Sequence, residues 1–71
     1  MLFNLTRFQI DPTPRRADGE YIAHARITTI LLGGDEQEVH TSGDLAGFDA
    51  RDDAVAYATK WAERWLTAQF G

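Results

Sequence analysis

The stretch YIAHARITTILL, residues 21–32, alternates between two sets of side chains, and this alternation decides the fold. A period of two is typical of a β-strand with one buried face, because successive strand side chains point to opposite sides. We expect the first set to face the core: Tyr21, Ala23, Ala25 and Ile27. We expect the second set to point away from it: Ile22, His24, Arg26, Thr28, Ile30 and Leu32.

Two shorter strand-like runs flank this central strand, at residues 2–10 and 37–42. Alternation in the first run fails near Thr6 and Arg7, which indicates a bulge or a strand with both faces partly covered. The next segment, DPTPRRADG, contains two prolines and an Asp-Gly pair, so we expect a loop there and not a strand. After the third run, SGDLAGF is expected to be an irregular connection.

The turn after the central strand begins with Gly33 and Gly34. In an antiparallel hairpin, Val39 lies on the same sheet face as Ile27 only if the residue numbers of each directly opposite pair add up to an even number. A two-residue turn at the glycines would make that sum odd. The sequence therefore predicts a three-residue loop, a five-residue loop or a bulge.

Residues 50–68 are predicted to form one amphipathic helix, with Asp49 as its N-cap. Alanines occupy the centre of its apolar stripe, Trp65 lies well inside the stripe and Trp61 lies closer to its edge. Two interpretations stay open. The tryptophans fill the core between helix and sheet, or Tyr57 and Trp61 form an exposed stacking or partner site at the edge.

Length and composition predict one small domain that spans residues 1–71. The chain has no cysteine, which excludes a disulfide framework, a thiolate zinc site and a cysteine nucleophile. No apolar run approaches the roughly 20 residues that cross a bilayer, and no signal-peptide pattern is recognisable. We therefore expect a bacterial-type cytoplasmic protein without membrane contact.

The net charge of −4 is unevenly distributed. Residues 35–53 hold seven acids against one base, Arg51. Nucleic-acid binders usually carry a basic stripe, whereas phosphate groups would be repelled along this acidic one. Nucleic acid is therefore not the expected partner.

Catalytic, metal and cofactor sites are not predicted. Alternation places His24 and His40 on the sheet face away from the helix, too far apart along the strands to share a metal ion. Ser42 is the only serine, and no oxyanion hole or nucleophile elbow accompanies it. The acids of residues 35–53 lack the ligand order of a calcium loop.

The segments YIAHARIT, GDLAGFD and AVAYATKWAERWL resemble a group of short uncharacterised proteobacterial proteins. The resemblance implies a three-stranded antiparallel sheet under one C-terminal helix and carries no catalytic residue. The element order also resembles the C-terminal part of double-stranded-RNA-binding domains, but DARDDA stands where those domains carry lysines. A looser resemblance links the strands and helix to small haemolysin-type transcriptional regulators.

These observations predict an α+β fold, a β-β-β-α arrangement in which a three-stranded antiparallel β-meander is covered on one face by the C-terminal helix. The leading functional hypothesis is a non-catalytic interaction module with a protein partner or a second copy as its ligand. The expected partner surface comprises Ile22, His24, Arg26, Thr28, Ile30, Tyr57 and Trp61. Alternatively, the loop at residues 11–20 covers Ile22, or a bulge turns Ile30 and Leu32 back to the core.

A second functional hypothesis is a small regulatory module that contacts nucleic acid away from the acidic segment. Its contacts would come from Arg7, Arg15, Arg16 and Arg26. An enzyme acting on a small ligand ranks third.

Overall fold

The central strand-like run is interrupted once, at residues 23–25, and the β-structure is divided into two sheets. The computed structural model describes residues 8–70. Its elements, in chain order, are β1 (Phe8–Asp11), β2 (Arg15–Ala17), β3 (Glu20–Ile22), β4 (Arg26–Ile30), β5 (Glu36–Thr41), β6 (Gly47–Phe48) and α1 (Arg51–Phe70). The predicted α+β class, with antiparallel strands before one C-terminal helix, is confirmed.

One antiparallel sheet has the order β1-β4-β5 and the other has the order β2-β3-β6. A single three-stranded sheet was predicted, so this detail is corrected. Pro12 and Pro14 separate β1 from β2, because proline has no N–H with which to continue a ladder. Between the sheets, the Ala23 N–H donates to the Ala46 carbonyl (2.7 Å), and the Ala23 carbonyl accepts a hydrogen bond from the Leu45 N–H (2.9 Å). The central run therefore stays in the middle of both sheets, as in a meander.

Two segments expected to be irregular contain strands. Within the predicted loop, β2 pairs with β3 and places Arg15 opposite Ile22. This segment lies beside Ile22 in the sheet and does not fold over it. Within the predicted irregular connection, β6 pairs with β3 from the other side. The bulge expected near Thr6 and Arg7 lies outside the described residues.

The β4–β5 hairpin contains both a three-residue loop and a bulge, two of the features that were predicted for the connection after the central strand. A short loop joins Leu31 to Asp35, whose backbones are hydrogen-bonded at 2.7 Å, so the residues between them form a three-residue turn. Farther along, Ile27 pairs with His40 but Thr28 pairs with Glu38, which makes Val39 an extra residue on β5. A bulge of this kind turns two successive side chains towards the same face.

The core lies between α1 and the central run of strand residues. The predicted inward set is confirmed in part, since Ala23, Ala25 and Ile27 are fully buried and Tyr21 is half-buried against them. The helix presents residues four positions apart, which form one stripe along its surface. This stripe consists of Ala54, Ala58, Ala62 and Leu66. Small side chains on both sides let the helix backbone approach the strands closely.

The start and the end of α1 differ slightly from the prediction. The carbonyl of Ala50 accepts the first helical bond, from Ala54 N–H at 3.3 Å, so Ala50 holds the N-cap position expected for Asp49. Asp52 and Asp53 lie in the first turn, where the helix dipole favours negative charge. The helix continues to Phe70, two residues beyond the predicted end at Ala68, since no proline or glycine interrupts it.

Candidate interaction surface

The predicted row on the outer face of the sheet does not form a continuous apolar surface. Thr28 in its centre is only 4% exposed, and the Arg26 guanidinium pairs with the Glu38 carboxylate at 3.0 Å. Ile22 and His24 are half-buried, and Ile30 is exposed near the end of the hairpin. The members of the row therefore do not act as one patch.

Charged groups on this outer face are paired with one another. Arg15 donates two hydrogen bonds to Asp44, at 3.2 and 2.5 Å, and these bonds lower the pKa of that exposed carboxyl. The Thr13 hydroxyl and N–H donate to Asp11 and lower its pKa as well, with smaller contributions from Arg26 and His24. The outer face is thus typical of a solvated surface with compensated charge.

His40 lies on the helix side of the sheet, which corrects the prediction that it points away from the helix. Its ring stacks on Trp65 with centroids 4.4 Å apart and planes 4° apart, and on Trp61 at 5.8 Å and 14°. The cause is the bulge at Val39, which directs Val39 and His40 to the same face. Val39 accordingly packs against the core.

Trp61 and Trp65 are both half-buried and pack against the core, as the first interpretation of the tryptophans predicts. Trp65 also has an edge contact with Phe70, at 6.1 Å between ring centroids. Tyr57 is 45% exposed, and its ring lies 5.4 Å from that of Phe48 in β6. The tryptophans therefore belong mainly to the core, and Tyr57 is the most accessible aromatic ring of the three.

A shallow groove runs along the exposed side of α1. Its walls are formed by Tyr57, Lys60, Trp61 and Arg64, and it encloses a volume of about 190 Å³. Residues three and four positions apart are neighbours on a helix, which explains why two aromatic rings and two cations meet here. The ion pairs within residues 8–70, Arg15–Asp44 and Arg26–Glu38, use neither Lys60 nor Arg64.

Sequence reasoning identified the aromatic half of this groove and missed its cationic half. Tyr57 and Trp61 were proposed as a partner site, whereas Lys60 and Arg64 were not singled out. The available signal was the spacing of the four residues, because positions 57, 60, 61 and 64 fall on one helical face.

The tip of the β4–β5 hairpin is a second unusual surface. We define the hairpin tip as residues 30–36. Ile30 and Leu31 are roughly half exposed and Leu32 is fully exposed, which is uncommon for three successive aliphatic side chains. Asp35 and Glu36 follow after two glycines and are also exposed. The tip therefore combines apolar side chains with negative charge.

The groups considered for catalysis have structural roles. The Ser42 hydroxyl accepts a bond from Ala25 N–H at 2.9 Å and donates to the Gly43 carbonyl at 2.7 Å. The His40 ring faces the tryptophans and forms no triad with this serine. Within residues 8–70, no group of three or more histidine or acidic side chains is arranged to hold a metal ion.

Comparison with known proteins leaves the resemblances proposed from the sequence as predictions. No family model matches the chain, and neither a curated protein nor a solved structure shows significant similarity to it. In the described part of the chain, α1 is the only helix, and it is not apolar enough to cross a membrane.

Proposed function

We propose that the protein is a non-catalytic interaction module that binds an acidic, leucine-bearing segment of a partner protein in the groove on α1. The observation that carries the proposal is the pairing of two cations, Lys60 and Arg64, with two aromatic rings, Tyr57 and Trp61. Aromatic residues and arginine are enriched at the centres of protein interfaces. A partner with carboxylates beside an aliphatic side chain would complement both halves of the groove.

The size of the groove favours a side chain over a small molecule. Small-molecule sites usually enclose about 300–1,000 Å³ and bury most of the ligand. This groove encloses about 190 Å³ and is open along the helix. A single leucine or similar side chain suits such a volume, with its flanking carboxylates near the two cations.

Among the residues that the structure describes, Lys60 and Arg64 are two cations that no ion pair holds. The net charge is −4, and the guanidinium groups of Arg15 and Arg26 already pair with carboxylates. Lys60 and Arg64 form a local positive site on an acidic protein, so a partner's negative charge would be drawn to this side of α1.

Nucleic-acid contact through the arginines has weaker support. Arg15 and Arg26 are held in ion pairs, and Arg16 lies 4.3 Å above the Tyr21 ring. A phosphate backbone would have to displace these contacts. Arg7, the fourth member of that hypothesis, lies outside the described residues. Self-association through the outer sheet face is likewise disfavoured by its compensated charges.

The test is a titration of ¹⁵N-labelled protein with a blocked peptide of two leucines flanked on each side by two glutamates. We expect shifts of the Trp61 indole N–H and of the amides of residues 57–64, with a dissociation constant of about 1 mM or somewhat tighter. Lys60→Glu should abolish the shifts. Arg51→Glu, with the same charge change on the same helix outside the groove, should leave them intact.

Two control ligands make the result specific. A peptide with lysines in place of the glutamates should leave the spectrum unchanged. A single-stranded oligothymidine should do the same, although aromatic rings beside cations also suit stacked bases. Equal shifts with the lysine peptide would contradict the proposal. Shifts of the groove residues with the oligonucleotide alone would also contradict it and would assign the groove to nucleic acid.

A further inference from the structure

We infer that the segment that fills the groove is the hairpin tip of a second copy of this chain. The inference depends on the proposed function and names its partner. Among the residues that the structure describes, those that line the groove all belong to α1, so the molecule does not fill it with its own tip. A hairpin tip that enters the groove would therefore belong to another copy of the chain.

The hairpin tip has the chemistry that the groove requires. Leu32 is fully exposed at its apex, and Asp35 and Glu36 follow within the next four residues. Insertion of the leucine between Tyr57 and Trp61 would remove apolar surface of both copies from water. The two carboxylates would then lie beside the cations of the groove.

The tip is already ordered for binding. Leu31 N–H donates to the Asp35 carbonyl at 2.7 Å, and Gly34 N–H donates to the Leu31 carbonyl at 2.9 Å. These bonds fix the turn that presents Leu32. A preorganised loop loses less conformational entropy on docking than a flexible one.

Each copy carries one tip and one groove, so two copies related by a two-fold axis use the same contact twice. The contact surface is small compared with that of stable dimers, which bury about 1,200–2,000 Å² in total. We therefore expect a reversible dimer with a dissociation constant of roughly 10–500 μM, which weakens as salt screens the charges.

Insertion of the leucines into a lipid surface is the competing use of the tip. Asp35 and Glu36 would face lipid headgroups, and anionic leaflets attract basic and not acidic segments. The negative charge of the tip therefore favours a basic protein groove over a membrane.

The experiment is sedimentation equilibrium of the parent and its variants between about 10 μM and 1 mM, a range that brackets the expected dissociation constant. Leu32→Asp alters the tip and Lys60→Glu alters the groove, and each is expected to weaken dimerisation at least tenfold. Arg51→Glu should dimerise like the parent, which separates the groove from net charge. All three positions are exposed, so each variant is expected to fold, and circular dichroism checks this.

Mixing the two defective variants gives the decisive result. Leu32→Asp keeps an intact groove and Lys60→Glu keeps an intact tip, so an equimolar mixture should form a heterodimer with one good contact. Its affinity should lie between that of the parent and that of either variant alone. Tip-to-tip or groove-to-groove pairing predicts no such recovery and would overturn the inference.

Two other results would overturn the inference. A parent protein that stays monomeric at 1 mM overturns the inference. The proposed function is tested separately, by the titration with the acidic peptide. Co-sedimentation of a monomeric parent with phosphatidylcholine vesicles, lost in Leu32→Asp, would assign the tip to a membrane and would also overturn the inference.

Discussion

At the scale of single residues, His40 and the two tryptophans link the core to the candidate interaction surface. The His40 ring lies against Trp65 at 4.4 Å, and Trp61 packs beside it while also forming a wall of the groove. Stacked rings at this distance contribute about 0.5–1.5 kcal/mol beyond their burial. Trp61 therefore contributes both to packing and to the wall of the groove, whereas Trp65 contributes to packing.

Replacement of the tryptophans separates these roles. Trp65→Ala should lower the free energy of unfolding by about 3 kcal/mol, because it removes the closest ring contact of His40 and the edge contact with Phe70. Trp61→Ala should cost less, since its ring lies farther from His40, and should also abolish binding of the acidic peptide. Urea denaturation gives both free energies. Equal stability of Trp65→Ala and the parent would contradict the packing described here.

At the scale of elements, the alternation of apolar and polar residues predicts which side chains of the central run are buried. The same pattern gives the wrong face in β5, where a bulge adds one residue. Alternation identified Ala23, Ala25 and Ile27 correctly as buried. It reversed the face of His40, because a period-two pattern continues through a bulge whose position depends on the pairing partner.

The other differences have comparable causes. Pro12 and Pro14 were interpreted as ending strand structure over the whole of DPTPRRADG, but their effect on hydrogen bonding is local and β2 begins at Arg15. The helix and its alanine stripe follow from a period of 3.6 and were predicted well. The groove could be predicted only in part, since nothing in the sequence tells which polar residues remain unpaired after folding.

The β4–β5 turn offers a prediction with a matched control. Gly34 has a φ of 87°, a conformation that side chains other than glycine rarely adopt, whereas Gly33 has no such angle. Open space surrounds both positions, so a methyl group meets no neighbour at either. Gly34→Ala should lower the free energy of unfolding by about 1 kcal/mol or more through backbone strain alone.

The control for that prediction is Gly33→Ala, which should be neutral or slightly stabilising because it restricts the unfolded chain. Thermal unfolding of the two variants beside the parent measures the difference. Equal melting temperatures for the two variants would show that the turn does not have the backbone described here.

At the scale of the whole molecule, the protein is a thin plate of about 42 × 24 × 16 Å with two unlike faces. One face carries α1, the aromatic rings and the groove, and the other carries paired charges such as Arg15–Asp44. The division depends on the bulge in β5, because without it His40 would point to the charged face and leave the tryptophans without their partner. The packing of both tryptophans thus depends on the face that His40 occupies.

A nuclear Overhauser spectrum of the His40 ring protons tests this claim most directly. The structure predicts strong cross-peaks from the imidazole protons to the indole protons of Trp65, weaker ones to Trp61, and upfield shifts of the imidazole signals from the stacked rings. Cross-peaks from His40 to Arg26 or Thr28 on the outer face, with unshifted imidazole signals, would contradict the bulge and the packing of the two tryptophans against His40.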